Sequence, residues 1–255
     1  MFRPPDVSKC VLCGSSDKLS GEHKIKASAL RQEFGRAKLT IGVPGQPESL
    51  RDAQGVKSKT LHFQSRLCTS CNSDRTQLAD RAFEAFHSEI RNLVQTLPRS
   101  DEVWRPALEH LDPEQAVFRY FAKLLACQLA DMGAPVQNEL CQFAIGSNHS
   151  SPIILYVRPD VTYARLSEEW PDTQYAAHGG IVVFGNRNWY FPTTFHSTLS
   201  IGPVQYCFEA KLNWIGQLRL ALEFPAFFGW CMERVKQAVD HPVSSEELSR
   251  LGLHN

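Results

Sequence analysis

Two closely spaced cysteine pairs are the residues of this chain whose type and spacing point most directly to chemistry. Cys10 and Cys13 form one C-x2-C pair, and Cys68 and Cys71 form a second pair after 54 intervening residues. Each pair can present both sulfurs to one ion, and zinc readily binds four thiolates in a tetrahedral arrangement. A redox-active C-x-x-C is the alternative, but it is typical of one pair in a thioredoxin-like setting. The spacing therefore predicts one structural zinc ion, with Gly14 supplying the turn of the first pair.

Three polar residues lie beside these pairs in the sequence. Glu22 and His23 follow the first pair, and Asn72 directly follows the second. Carboxylate and amide oxygens suit Mg²⁺ or a similar ion, and a neutral imidazole can accept a proton from water. Phosphodiester hydrolysis requires such a base together with a cation at the leaving oxygen. These residues are therefore candidate catalytic residues, with Glu22 and Asn72 as ligands of a catalytic Mg²⁺ or Mn²⁺ ion.

Each of the three residues also has a structural interpretation. His23 could be a surface histidine, Glu22 a helix cap or a solvated charge, and Asn72 a helix N-cap residue. The catalytic interpretation is favoured because the three residue types occur together beside the zinc pairs. His62 could lie near this site if its strand faces it, and Asp80 could brace the loop, although either could be purely structural.

Charge is distributed unevenly between the two ends of the chain. Residues 1–100 contain 16 basic and 10 acidic residues, and the remainder contains 11 basic and 17 acidic residues, which gives no net charge overall. A basic first part fits a phosphate-binding module. Lys24, Lys26, Arg66 and Arg75 are therefore candidate contacts to DNA phosphates, with a solvated face as the alternative.

The periodicity of apolar residues predicts an α+β fold in two parts. Helices are predicted over 27–34, 70–97, 112–132, 226–239 and 244–251. Strands are predicted over 59–67, 141–146, 152–158, 180–185, 187–191 and 204–210, with a hairpin turn at 185–188. Two prolines mark a linker between Arg99 and Pro113, which separates a domain over residues 1–98 from one over residues 112–255.

No stretch of the sequence resembles a targeting or membrane segment. Its apolar runs are far shorter than the roughly 20 residues that a membrane helix needs, and the N-terminus has no signal-like apolar core. We therefore expect a cytoplasmic protein that does not bind membranes. In that compartment cysteines outside the two pairs are expected to be reduced and buried, and these are Cys127, Cys141, Cys207 and Cys231.

The pattern C-x2-C, Glu-His, C-x2-C-Asn resembles the HNH, or ββα-metal, endonuclease family, and more narrowly its zinc-containing four-cysteine branch. The resemblance covers about residues 8–97 and nothing after residue 112. It implies a zinc-stapled ββα-metal domain that cleaves DNA, with His23 as general base. Glu22, where the family more often has Asp, and Asn72 would hold the catalytic metal. Thr76 stands where other HNH subfamilies place a further metal-binding histidine, so two protein ligands are expected.

The second part has no such resemblance. Residues 112–255 are expected to form a mixed sheet-and-helix domain of unknown role, through which the chain could form a homo-oligomer or bind a protein partner. The alternative for the whole chain is a zinc-ribbon protein that binds nucleic acid or a partner without catalysis.

Overall fold

Two β-sheets and the helices around them make up the part of the chain that the computed structural model describes, residues 2–35, 39–43, 46–53, 58–94, 115–170 and 174–242. The strands are β1 (Leu19–His23), β2 (Leu39–Val43), β3 (Gln46–Ala53), β4 (His62–Cys68), β5 (Ile153–Pro159), β6 (Tyr175–His178), β7 (Val182–Gly185), β8 (Pro192–Ile201) and β9 (Val204–Lys211). The helices are α1 (Ala27–Phe34), α2 (Gln77–Val94), α3 (Ala116–Asp131), α4 (Asn138–Ala144), α5 (Val161–Glu169), α6 (Trp214–Glu223) and α7 (Pro225–Asp240). A 3₁₀ turn (Lys59–Leu61) precedes β4, and a π-helical turn (Ser70–Arg75) precedes α2. The predicted α+β class is confirmed.

The small sheet is an antiparallel ribbon of β1 and β4, and the large sheet has the order β3-β2-β6-β8-β9-β5. β7 pairs with the first half of β8, beside β6. The β2–β6 pair is parallel, whereas the other pairs are antiparallel. Strands from both sides of the predicted linker thus share one sheet. The predicted boundary itself, residues 99–111, lies outside the described residues and stays a prediction.

Helix α3 lies at the centre of the fold. It packs against α2 and β4 of the first part and against α4 and β5 of the second. A helix with neighbours on all sides must be apolar around its whole circumference, and the α3 sequence is nearly so. Two polar residues of this helix are buried as well, Gln128 near its end and Lys123 in its middle, where the lysine is completely buried.

Helix α2 buries only part of the apolar pattern of its sequence, because Leu78 is 53% exposed and Leu93 is only partly buried. Phe83, Phe86, Ile90 and Val94 are all buried, at spacings of three and four residues, and each such side chain contributes about 1.5–3 kcal/mol. The α-helix begins at Gln77 and not at residue 70, because the preceding turn is π-helical.

Two predicted strands are wrong. Residues 141–146 belong mostly to helix α4, whose apolar side chains pack on α3, and a short apolar run fits a buried helix as well as a strand. Residues 187–191 form a turn in which the Asn186 carboxamide accepts hydrogen bonds from the backbone N–H groups of Asn188 and Trp189. The predicted hairpin exists, but its second strand, β8, begins only at Pro192.

An irregularity in strand β4 ties the ribbon to α3. The carboxylate of Asp131, at the end of α3, accepts hydrogen bonds from the backbone N–H groups of Gln64 (3.0 Å) and Ser65 (2.6 Å). The Ser65 hydroxyl donates to the backbone oxygen of Cys127. Helix α3 therefore provides hydrogen-bond partners for backbone N–H groups of β4 that do not pair with β1. Because the Ser65 side chain takes part in these contacts, a polar residue interrupts the alternation of apolar residues there.

The strand predicted over 59–67 corresponds to β4, except that its first three residues form the 3₁₀ turn, and the helix predicted over 112–132 corresponds to α3 within the described residues. Predicted elements at 27–34, 152–158, 180–185, 204–210 and 226–239 match α1, β5, β7, β9 and α7. The predicted last helix at 244–251 lies outside the described residues. All four cysteines outside the two pairs are buried and unbridged, as predicted. Within the described ranges, no helix has both the length and the apolar character needed to cross a membrane.

Buried His87 gives the fold a specific acid sensitivity. Its Nδ1 lies 2.7 Å from the Tyr206 hydroxyl, and burial, together with the charge of Arg91, lowers its pKa to about 4. In the unfolded chain the pKa is near 6.5, so between these values the unfolded state binds more protons and stability falls as pH falls. We expect the His87→Asn variant to lose about 2 kcal/mol less stability than wild type between pH 7 and pH 5.

Denaturant unfolding of both proteins at several pH values measures this difference. His149→Asn, at an exposed histidine, is the control and should titrate like wild type. Equal pH dependence of wild type and His87→Asn would show that His87 is not the group responsible.

Candidate functional site

The four cysteines of the two pairs form one cluster. The sulfur atoms of Cys10, Cys13, Cys68 and Cys71 all lie within 4.8 Å of one another, and the first pair is 55 residues from the second. Three of the four side chains are buried, and Cys13 faces solvent. The sequence prediction that these residues come together is confirmed.

Backbone hydrogen bonds hold the first pair against the second. Gly14 has a φ of 74°, a left-handed conformation that glycine adopts without strain, and its N–H donates to the Cys10 oxygen at 2.8 Å. The N–H of Val11 donates to the oxygen of Arg66 on β4, which fixes the first pair beside the strand that carries the second. The Cys71 N–H points to the Cys68 sulfur at 3.5 Å.

This donor set can bind a metal ion such as zinc. Burial and the neighbouring cysteine sulfurs raise the pKa of Cys71 well above its usual range. Four thiolates in so small a volume repel one another unless a cation compensates their charge. Soft sulfur ligands in a group of four are what a structural zinc ion prefers.

Glu22 and His23 lie at the end of strand β1, on opposite faces. Alternate residues of a strand point to opposite sides, and accordingly Glu22 is buried whereas His23 is partly exposed. The structure therefore places the Glu22 carboxylate in the interior, away from the His23 ring. The solvated-charge interpretation of Glu22 is wrong.

A buried network of charges surrounds Glu22. Its Oε1 lies 3.0 Å from the Nζ of Lys123, and the same ammonium lies 2.6 Å from Oδ1 of Asp80. The other oxygen of Asp80 pairs with Lys26 at 2.9 Å. Strand β1, helix α2 and helix α3 are thus joined through one lysine that is completely buried.

The pKa values in this network follow from burial and charge. Burial raises the pKa of Glu22, and the negative charge of Asp80 adds to this effect, against the opposing pull of Lys123. Burial alone would lower the pKa of Lys123, but the carboxylates of Glu22 and Asp80 outweigh it and raise that pKa. Lys123 thus lies in the interior with two carboxylates that favour its charged form.

The other face of the ribbon brings together two histidines and an arginine. His23 is paired with His62 across the two strands, and their ring centroids are 3.8 Å apart. Gly21 is paired with Arg66 on the same face. His62, which the sequence placed near the site only if its strand faced it, is therefore adjacent to His23.

Asn72 connects the π-helical turn to strand β1. Its Nδ2 donates to the Ser20 hydroxyl at 3.0 Å and to the Gly21 backbone oxygen at 3.3 Å. The helix N-cap interpretation is wrong, because this side chain contacts the strand and not the start of α2. Asn72 lies beside the segment that carries Glu22 and His23, and its amide oxygen and the Glu22 carboxylate are hard donors of the type that Mg²⁺ binds.

The candidate phosphate contacts differ in their surroundings. Arg66 is exposed on the histidine face. Lys26 forms an ion pair with Asp80. Arg75 is exposed and donates a hydrogen bond to the Ser147 hydroxyl at 2.8 Å. Lys24 is partly exposed next to His23. Of these candidates, Arg66 lies on the histidine face, and Lys24 is the neighbour of His23 in the chain.

Sequence reasoning missed Lys123. A lysine inside the apolar stretch that precedes Leu124 and Leu125 was the available signal, because charged residues are almost never fully buried unless they are paired. Its partners, Glu22 and Asp80, lie 101 and 43 residues away in the chain.

Comparisons with protein-family models, with curated proteins and with solved structures found no match for this chain. What the site does has to be inferred from its residues and their geometry.

Proposed function

We propose that this protein is a metal-dependent endonuclease that hydrolyses DNA phosphodiester bonds, with an HNH-type domain over about residues 1–98. The observation that carries the proposal is the four-cysteine cluster, which fixes Asn72 against the strand that carries Glu22 and His23. The cysteine cluster holds the β1–β4 ribbon together, and on this ribbon a partly exposed histidine lies on the same face as an arginine. Such a pair suits catalysis on a phosphate group.

His23 is the proposed general base. A ring nitrogen of His23 accepts a proton from water, and the water oxygen forms a bond to phosphorus. The bond between phosphorus and O3′ breaks, and O3′ leaves with the electron pair and takes a proton from solvent. The products are a 5′-phosphate and a 3′-hydroxyl. Arg66, on the histidine face, and Lys24, next to His23 in the chain, are proposed to hold the DNA phosphates, with Lys26 and Arg75 as more distant contacts.

Glu22 and Asn72 are the proposed ligands of a catalytic Mg²⁺ or Mn²⁺ ion. When bound, such an ion stabilises negative charge on the phosphate and on the leaving oxygen. Because Glu22 is buried on the face opposite His23, with Oε1 3.0 Å from Lys123, an ion that contacts both this carboxylate and the phosphate requires Glu22 to leave Lys123 and turn toward the His23 face. This requirement makes the metal dependence of cleavage an informative measurement.

A plasmid assay tests the proposed reaction. Supercoiled DNA incubated with the zinc-loaded protein is expected to become nicked and linear when Mg²⁺ or Mn²⁺ is added and to stay supercoiled without them. DNA binding without cleavage under any of these conditions would contradict the proposal and favour a zinc-ribbon binding protein.

The role of residues 112–255 is a separate question. Helix α6 exposes four large apolar side chains, including Trp214 at 71% and Leu222 at 73%, and exposed apolar patches of this kind mark interaction surfaces. This observation favours α6 as the surface through which the second part contacts another copy or a protein partner.

A further inference from the structure

The exposed face of the β1–β4 ribbon has a notch at Gly21. A side chain at this position would begin 3.2 Å from Nη1 of Arg66 and 3.6 Å from Nδ1 of His62. His23 lies next to His62 on the same face. The missing side chain therefore leaves a space bordered by the Arg66 guanidinium and the His62 imidazole, with the His23 ring next to His62.

The backbone does not require glycine at this position. Gly21 lies in the paired part of β1, and its φ is not in the left-handed region, in contrast to Gly14 at 74°. Glycine inside a strand weakens the strand and often marks a place where a ligand or another chain approaches closely. At Gly21 the effect of glycine is therefore to leave open the space that a side chain would fill.

The chemistry around the notch suits an anion with several oxygens. Arg66 presents a planar fork of N–H donors that matches a phosphate, and His62 can add an N–H donor of its own. The floor of the notch is held in place, because Asn72 donates to the Gly21 backbone oxygen at 3.3 Å.

We propose that this notch binds the phosphodiester group that is cleaved, with Arg66 and His62 donating to its non-bridging oxygens beside the His23 ring. The proposal rests on the proposed nuclease function and deepens it. It assigns His62 as a phosphate-binding residue and Gly21 as the position that admits the phosphate. The ligand class is a nucleic-acid phosphodiester.

A substitution that fills the notch without harming the strand tests the proposal. Gly21→Val introduces a good strand former, and its Cβ, 3.2 Å from Nη1 of Arg66, requires only the flexible end of an exposed side chain to shift. We therefore expect the variant to fold with unchanged zinc content. The cleavage rate should nevertheless fall on the order of a hundredfold, because the phosphate is displaced from His23. Gly180→Val is the matched control, since Gly180 is exposed and a side chain there would meet nothing within 4 Å.

Phosphodiester binding is measured separately from cleavage. The dinucleotide thymidylyl-(3′→5′)-thymidine is titrated into the zinc-loaded protein without added Mg²⁺ or Mn²⁺, and histidine ring protons are followed by NMR. The His23 and His62 resonances, assigned by their absence from the His23→Ala and His62→Ala spectra, are expected to shift, whereas that of exposed His149 is not. In Gly21→Val the shifts should disappear.

The outcomes separate this proposal from the nuclease proposal. If wild type fails to cut DNA but the dinucleotide shifts His23 and His62, the notch is a phosphodiester site and the proposed reaction is wrong. If wild type cuts DNA, and Gly21→Val and His62→Ala cut at the same rate, the nuclease stands and the notch is not where the phosphate binds. Dinucleotide shifts of equal size in wild type and Gly21→Val would also overturn the proposal.

Discussion

Replacing Cys68 with serine is expected to abolish zinc binding and to unfold the β1–β4 ribbon. The sulfur atoms of the four cysteines lie within 4.8 Å of one another, and the ribbon is one short pair of strands. Structural zinc contributes about 10–16 kcal/mol in small zinc-binding peptides, which is comparable to the whole stability of a domain. A serine oxygen is a poor substitute for a thiolate, so little of that contribution should remain.

Zinc content by mass spectrometry and thermal unfolding by circular dichroism measure the effect. Wild type should hold one zinc ion per chain, and Cys68→Ser should hold almost none and lose its cooperative transition. Cys207→Ser is the control: Cys207 is also buried but lies outside the cluster, so its zinc content should equal that of wild type. A zinc-free wild type with unchanged stability would contradict a structural role for the cluster.

Replacing Lys123 with methionine is expected to destabilise the protein by about 3–5 kcal/mol, because it leaves two buried carboxylates without their shared cation. Methionine fills a similar volume, so the loss is electrostatic and not a cavity effect. Glu22 and Asp80 are both less than 9% exposed, and solvent therefore screens them little.

A compensating variant separates charge from packing. Lys123→Met combined with Glu22→Gln and Asp80→Asn removes the cation and both carboxylates and should recover much of the lost stability, because Glu22 and Asp80 then no longer leave buried charges without their shared cation. Denaturant unfolding at neutral pH measures all variants. A triple variant as unstable as the single one would mean that Lys123 acts mainly through packing.

The four-cysteine cluster could be predicted because its signal is local. Each C-x2-C pair defines its own turn, and four cysteines in two pairs have few other uses in one chain. The sequence position of Asn72, directly after the last cysteine, likewise placed this residue at the cluster. Its contact with Gly21 could not be predicted, because that contact depends on how the π-helical turn folds back onto β1.

The surroundings of Glu22 could not be predicted, because they depend on packing between distant segments. Strand β1 itself went unrecognised, since it is only five residues long, contains Gly21 and exists because β4 pairs with it. The buried partner of Glu22 comes from α3, 101 residues further along the chain. In a similar way, the surroundings of His87 depend on a distant segment, because its Nδ1 lies 2.7 Å from the Tyr206 hydroxyl on β9.

The central claim is that His23 acts as the base in metal-dependent cleavage of DNA. Its most direct test compares zinc-loaded wild type and His23→Ala, at matched zinc content and DNA affinity, in single-turnover cleavage of plasmid with Mg²⁺ or Mn²⁺. The account predicts a cleavage rate lower by on the order of a thousandfold for the variant, the scale of a lost general base. Cleavage by both proteins at the same rate would contradict it.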